Sequence, residues 1–298
     1  MEIKRHFAFA AEKHPELVHY LNMTFAPWNR GEIISSLDIK ESDFRWPTIA
    51  AYLKLHGIPS YATPVFTKEE LSSAPWLRVR SNWHFSYPQP EEGFGYKTTT
   101  YDPQNYCDGC GSGLLQTAPF RTKSAPKWGR RHFLSLNWVF DELFTDDAGK
   151  AALEAVEGLS FLEVLKKKGT DHFPGVHQLV ISHLLPPGLL PNEQTIRKIS
   201  ICPKCGTAKH VTIGAGMLRF RSGIFDGAPD IVKTAEAFGD GHMSCRDILV
   251  RQKVYRLLVN AKLDGGLVFE PVELIENPRV HLISFAHPAI LCYHIPKK

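Results

Sequence analysis

Two copies of one short pattern, Cys-x-x-Cys-Gly, constrain this chain more than any other feature. The first runs from Cys107 to Gly111 in "YCDGCGSG" and the second from Cys202 to Gly206 in "ICPKCGTA". Such a turn sets two sulfurs on one side of a tight knuckle, and its glycine lets the backbone bend so that amides face the thiolates. Two knuckles supply the four sulfurs that tetrahedral zinc takes at about 2.3 Å, with no position left for a substrate. About ninety residues lie between the motifs, yet the entropy of closing a loop grows only logarithmically, so the separation is no obstacle. A structural zinc contributes on the order of 10–16 kcal/mol in small peptides, far more than that difference. The spacing predicts one structural zinc held by Cys107, Cys110, Cys202 and Cys205. Unmetallated thiols, redox pairs and another thiophilic metal are the alternatives. A thioredoxin-like pair would be a single motif beside a βαβ pattern. A catalytic zinc would use fewer than four protein ligands.

Composition sets the frame for that site. The 298 residues are 43% hydrophobic and 22% charged, ordinary for a globular chain with a sizeable core. Six cysteines are too sparse for a secreted disulfide scaffold. Cys245 and Cys292, outside the motifs, are expected to be buried as small hydrophobes. No run of about 18 apolar residues suggests a membrane span. The N-terminus "MEIKRHFAFAAEKHPE" lacks the roughly 7–15-residue apolar stretch of a secretory signal, so a cytoplasmic location is expected. The formal charge of +4 balances 35 basic against 31 acidic residues, and the basic ones fall in short clusters such as Arg130-Arg131 and Lys166-Lys167-Lys168. A nucleic-acid-binding domain would show a broader basic stripe.

Along the chain three segments emerge: a mixed N-terminal segment, 1–94, and two units, 95–185 and 186–298, predicted to form one compact domain. In the first, "SDFRWPTIAAYLKLHG" (Ser42 to Gly57) reads as a helix with Trp46, Ile49, Tyr52, Leu53 and Leu55 on its apolar side. Thr67 and Glu70 form a capping box for a short helix. Its aromatic residues, among them Trp28, Phe44, Tyr61, Trp76, Trp83 and Tyr87, read as core. The two later segments share an order. A β-rich run ("GYKTTTYD", "TIRKISI") leads into the knuckle, and an extended stretch follows. A helix is then predicted over "WVFDELFTDDAGKAALEAVEG" in one and "SCRDILVRQKVYRLLVNAKLDGG" in the other, the latter starting at Ser244 and Asp247 and stopping at Gly265-Gly266. Each closes on a strand with the phrase G-L-x-F-x-x-V, "GLSFLEV" and "GLVFEPV". The expected fold is therefore α+β, a mixed N-terminal segment packed on two related β-knuckle-α-β units that share the zinc across a pseudo-twofold axis.

Other chemistry has less support in the sequence. His172, His177 and His183 are spaced by five and six, which suits neither a helical pair nor a familiar ligand motif. No H-E-x-x-H, no deaminase H-x-E with a following cysteine pair and no G-x-S-x-G occurs in the sequence. An unrecognised enzyme would draw on those histidines or on Asp146 and Asp147. A zinc-containing nucleic-acid binder would instead place Lys127, Trp128, Arg130 and Arg131 on the face of the knuckles and lose affinity steeply with salt.

The paired C-x-x-C-G motifs, each followed by a helix and a G-L-x-F-x-x-V strand, with the tail "ILVRQKVYRLLVNAKLDGGLVFEPVELI", resemble the double-CXXCG motif proteins, bacterial proteins associated with immunity to contact-delivered toxins in swarming myxobacteria. The likeness covers roughly residues 95 to 275. It implies a non-enzymatic cytoplasmic protein that binds and neutralises one cognate toxin, with Cys107, Cys110, Cys202 and Cys205 as zinc ligands. It carries over no toxin-contact residue.

Overall fold

The computed structural model describes residues 1–25 and 28–276. The N-terminal segment builds a small sheet around β1 (Glu2–Ala10), flanked by β2 (Ile34–Lys40) and β3 (Ser60–Val65), both antiparallel to it. Alternate residues Phe7 and Phe9 of β1 and Leu37 and Ile39 of β2 turn to one face. There they meet α1 (Pro15–Thr24) through Leu17 and Leu21, and α2 (Trp46–Leu55) through Ile49 and Leu53. The predicted helix is thus present, although Leu55 points to solvent and is 80% exposed. Thr67 and Glu70 make both hydrogen bonds of the capping box that starts α3 (Lys68–Ser73). Of the aromatic residues, Trp28, Trp46, Trp76 and Trp83 pack in cores, whereas Phe44 and Tyr61 are exposed.

Strand β4 (Trp76–Ser81) leaves this segment and enters the sheet of the last one. After α4 (Tyr96–Thr100) the first knuckle lies in a hairpin of β5 (Tyr101–Asp102) and β6 (Leu115–Gln116). The β-rich reading of "GYKTTTYD" is corrected here, since residues 96–100 are helical. A five-stranded sheet follows, built from β7 (Arg121–Thr122), β8 (Phe133–Leu136), β9 (Val139–Thr145), β10 (Leu159–Lys166) and β11 (His172–Ile181) in the order β7-β10-β11-β9-β8. Between β9 and β10 runs α5 (Asp147–Leu153), capped by the Asp146 carboxylate on the Gly149 amide.

The second knuckle sits in the hairpin of β12 (Ile196–Ile201) and β13 (Ala208–Thr212). Then come β14 (Arg219–Arg221), β15 (Ile231–Lys233), β16 (Ala237–Phe238) and β17 (Ile248–Arg251), followed by α6 (Gln252–Asn260), β18 (Leu267–Pro271) and β19 (Glu273–Ile275). The second main sheet has the order β15-β17-β4-β18.

Both predicted long helices are shorter than expected. Residues 139–145 and 248–251 are strands, because each pairs along its length with a sheet neighbour before the chain turns helical. The start signals Ser244 and Asp247 precede β17 rather than α6, and α6 ends before Gly265-Gly266. Two strand-helix-strand segments are arranged alike, each around a central strand. β9-α5-β10 straddles β11, and β17-α6-β18 straddles β4, the central strand being antiparallel to both partners. The closing phrases are strands in both, each entered through a left-handed glycine, Gly158 (φ 88) and Gly266 (φ 97). Leu153 and Val156, in and just after α5, share one core with Val254 and Leu258 of α6 and with Leu77, Val79 and Phe269 of the second sheet.

Candidate metal centre

The two hairpins bring Cys107, Cys110, Cys202 and Cys205 together, with all four Sγ atoms within 4.8 Å of one another. Across the knuckles Cys107 Sγ is 3.8 Å from Cys202 Sγ, and Cys110 Sγ is 3.5 Å from Cys205 Sγ. A tetrahedron of sulfurs at about 2.3 Å from a metal has edges of about 3.8 Å, close to these two distances, so the four thiols could hold one metal ion.

Each knuckle is held by the same backbone frame. The Cys107 amide donates to the Ser112 carbonyl (2.8 Å) and the Cys202 amide to the Thr207 carbonyl (3.0 Å). The glycine amides close the turns, Gly111 onto the Cys107 carbonyl (2.7 Å) and Gly206 onto the Cys202 carbonyl (2.9 Å). Both glycines are left-handed, with φ of 81 and 75, which explains the fifth position of the motif. Gly111 has a second reason, since a Cβ there would stand 2.0 Å from the His242 carbonyl oxygen.

The thiols differ in setting. Burial pushes the Cys107 thiol up to about 11. At Cys205 the Thr207 hydroxyl, 3.2 Å away, and the Thr207 amide favour the thiolate and lower it to about 6. Backbone amides of Cys205 and Lys204 lower Cys202 in the same way.

Lys209 on β13 completes the site and escaped sequence analysis, because a lysine in a hairpin strand ordinarily faces water. It is 3% exposed, and its ammonium donates to the carbonyls of Cys110 (3.0 Å), Met243 (3.1 Å) and Gly241. One side chain thereby ties the second hairpin to the first knuckle and to the 241–243 turn. A buried ammonium facing neutral acceptors alone is costly. Four thiolates around a divalent cation carry net negative charge beside it, so Lys209 fits a metallated cluster. A surface pair, Lys204 with Asp108, also bridges the knuckles. Because both partners are exposed, it adds little.

The remaining candidates lie elsewhere. Cys245 is half-buried, its thiol pushed up by burial, and it joins no cluster; Cys292 lies outside the described residues. His177 is buried between Asp147 (2.7 Å) and Glu163 (3.2 Å), and Asp146 pairs with His132 (2.8 Å). The structure thus joins His177 to Asp147 but gives His172 and His183 no share in that contact. Trp128 is packed against Trp83 and donates to the Gly175 carbonyl (3.2 Å), while Arg131 lies over the Trp83 ring. Its ring is therefore committed to the protein's own core rather than offered for stacking. No helix among the described residues is long and apolar enough to cross a membrane.

No protein-family model matches the chain, and no curated protein matches it. The class defined by fold and site is an α+β protein with a four-cysteine cluster suited to a metal ion.

Proposed function

We propose that the four cysteines hold one structural zinc and that the protein is a non-catalytic binding module, an immunity protein that neutralises one cognate bacterial toxin in the cytoplasm. The observation that carries the metal reading is the convergence of two equivalent knuckles on four sulfurs within 4.8 Å, with a buried lysine beside them. Four thiolates fill a tetrahedral ion, so the zinc offers no open position for substrate and serves to staple the two hairpins. The toxin-binding role rests on the resemblance of the motif pair and tail, and a closed, rigid scaffold agrees with it.

The test is a native pull-down of the tagged protein from its host, with zinc quantified in the same eluate. One stoichiometric partner that is toxic when expressed alone, together with one zinc per chain, supports both halves of the proposal. A partner-free monomer would overturn the immunity role, and a folded metal-free protein would overturn the zinc.

A further inference from the structure

A cleft of about 670 Å³ separates β3 from the second main sheet and the β12-β13 hairpin. This size lies within the range of ligand-binding clefts, which favour the junctions between structural units. Its charged lining is one-sided: Arg5, Arg78, Arg80 and Arg197 against Glu270.

These arginines have different tasks. Arg5 is paired with Glu41 (2.6 Å). Arg78 is held by Asp247 (2.7 Å) and Glu270 (3.2 Å), and its Nε is buried without an acceptor. Arg80 shares Glu270 but keeps 46% of its side chain exposed. Arg197 is exposed and has no ion pair among the described residues. Among the described residues the cleft's one arginine without a carboxylate partner is therefore Arg197, and Arg80, though paired with Glu270, keeps nearly half of its side chain open to the cleft.

The shape argues for an extended ligand. Arg78 and Arg80 are alternate residues of one strand on the same face, about 7 Å apart, so the wall they line runs along β4. The opposite wall is β3, the outer strand of its sheet, where one edge of backbone groups has no strand partner among the described residues. Guanidinium groups match carboxylates in bidentate geometry.

We propose that this cleft receives an extended, acidic segment of a partner protein. The proposal deepens the toxin-binding reading, on which it rests for the identity of the partner, by naming what the toxin would present: carboxylates read by Arg197 and by the exposed part of Arg80.

The direct test is fluorescence anisotropy with the full chain and a labelled (Glu-Thr)5 peptide, with (Lys-Thr)5 and oligo(dT) as counter-probes. Saturable binding of the acidic peptide is expected, weakening with salt and falling about tenfold or more in Arg197→Glu. Arg197 is exposed and has no ion pair among the described residues, so this variant is expected to melt like the wild type. Absence of saturable binding, equal binding by Arg197→Glu, or preference for oligo(dT) would overturn the proposal. Arg80→Ala provides a second variant, expected to weaken the peptide with Arg197 intact. Partner capture separates this claim from the broader one. Capture of a toxin equally by wild type and Arg197→Glu would refute the cleft and leave the immunity reading standing. Peptide binding in the cleft without any captured toxin would do the reverse.

Discussion

The two knuckles share one backbone frame and differ in nearly everything around it. In the first, Cys107 and Cys110 are buried, and Gly111 is pressed against the 242 carbonyl. In the second, Cys205 is exposed, and a Cβ on Gly206 would meet nothing within 4 Å. The hydrogen-bond geometry of each knuckle is thus set by six residues of local sequence. How firmly each half is anchored is set by what the rest of the chain packs on it. Cys202 is buried like Cys107 and Cys110, so the second knuckle is open at Cys205 alone.

The strongest way to break this comparison is to remove one ligand from each side. Cys107→Ser should abolish zinc retention and cause the larger fall in melting temperature, while Cys205→Ser should retain weaker zinc on three sulfurs. Equal losses, measured by elemental analysis and thermal melting, would mean that the knuckles are equivalent in practice.

The glycines sharpen it next. Gly206→Ala meets only left-handed strain, about 1 kcal/mol. Gly111→Ala adds a clash with backbone and should cost about 3 kcal/mol, at the upper end for such sites. Denaturant unfolding of the zinc-loaded variants gives both numbers, and a Gly206 cost equal to that of Gly111 would remove the asymmetry.

Lys209→Met comes third. It strips a hydrogen bond from the buried Cys110 carbonyl, a loss worth about 1–3 kcal/mol, and two more from the partly exposed Gly241 and Met243 carbonyls, which water can replace. It also removes the positive charge beside the cluster, so zinc should dissociate more readily in competition with a chelator. Unchanged zinc affinity would reduce Lys209 to a packing residue.

The smallest effect is one of rate. In chelated protein at neutral pH, Cys205 lies above its lowered value of about 6 and is largely thiolate. Cys107 stays protonated until pH approaches about 11. Reactivity follows the thiolate, so iodoacetamide should label Cys205 before Cys107, as read by peptide mapping. Labelling in the opposite order would contradict the assigned environments.

Much of this was legible before any fold was known. The capping box at Thr67 and Glu70, the helix after Arg45 and the strands at both closing phrases each depend on residues within a few positions. The four-cysteine site was legible for the same reason, since each knuckle is a local turn. What was not legible depends on distant partners. Phe140, Leu143 and Phe144 have a spacing that suits a helix, yet β8 and β11 recruit that stretch as strand. β4 belongs by sequence to the first ninety residues but completes the sheet of the last hundred, a pairing that no local pattern announces. Lys209 is the sharpest case, because its burial depends on carbonyls from two segments far from its own.

The central claim is that the two knuckles close on one metal. The most direct measurement titrates zinc release against thiol modification in a single sample of the purified full chain. One zinc per chain, freed as four cysteines react together, is the expected result. A stable folded protein that carries no metal, or one in which Cys107 and Cys202 are found joined as a disulfide, would contradict it.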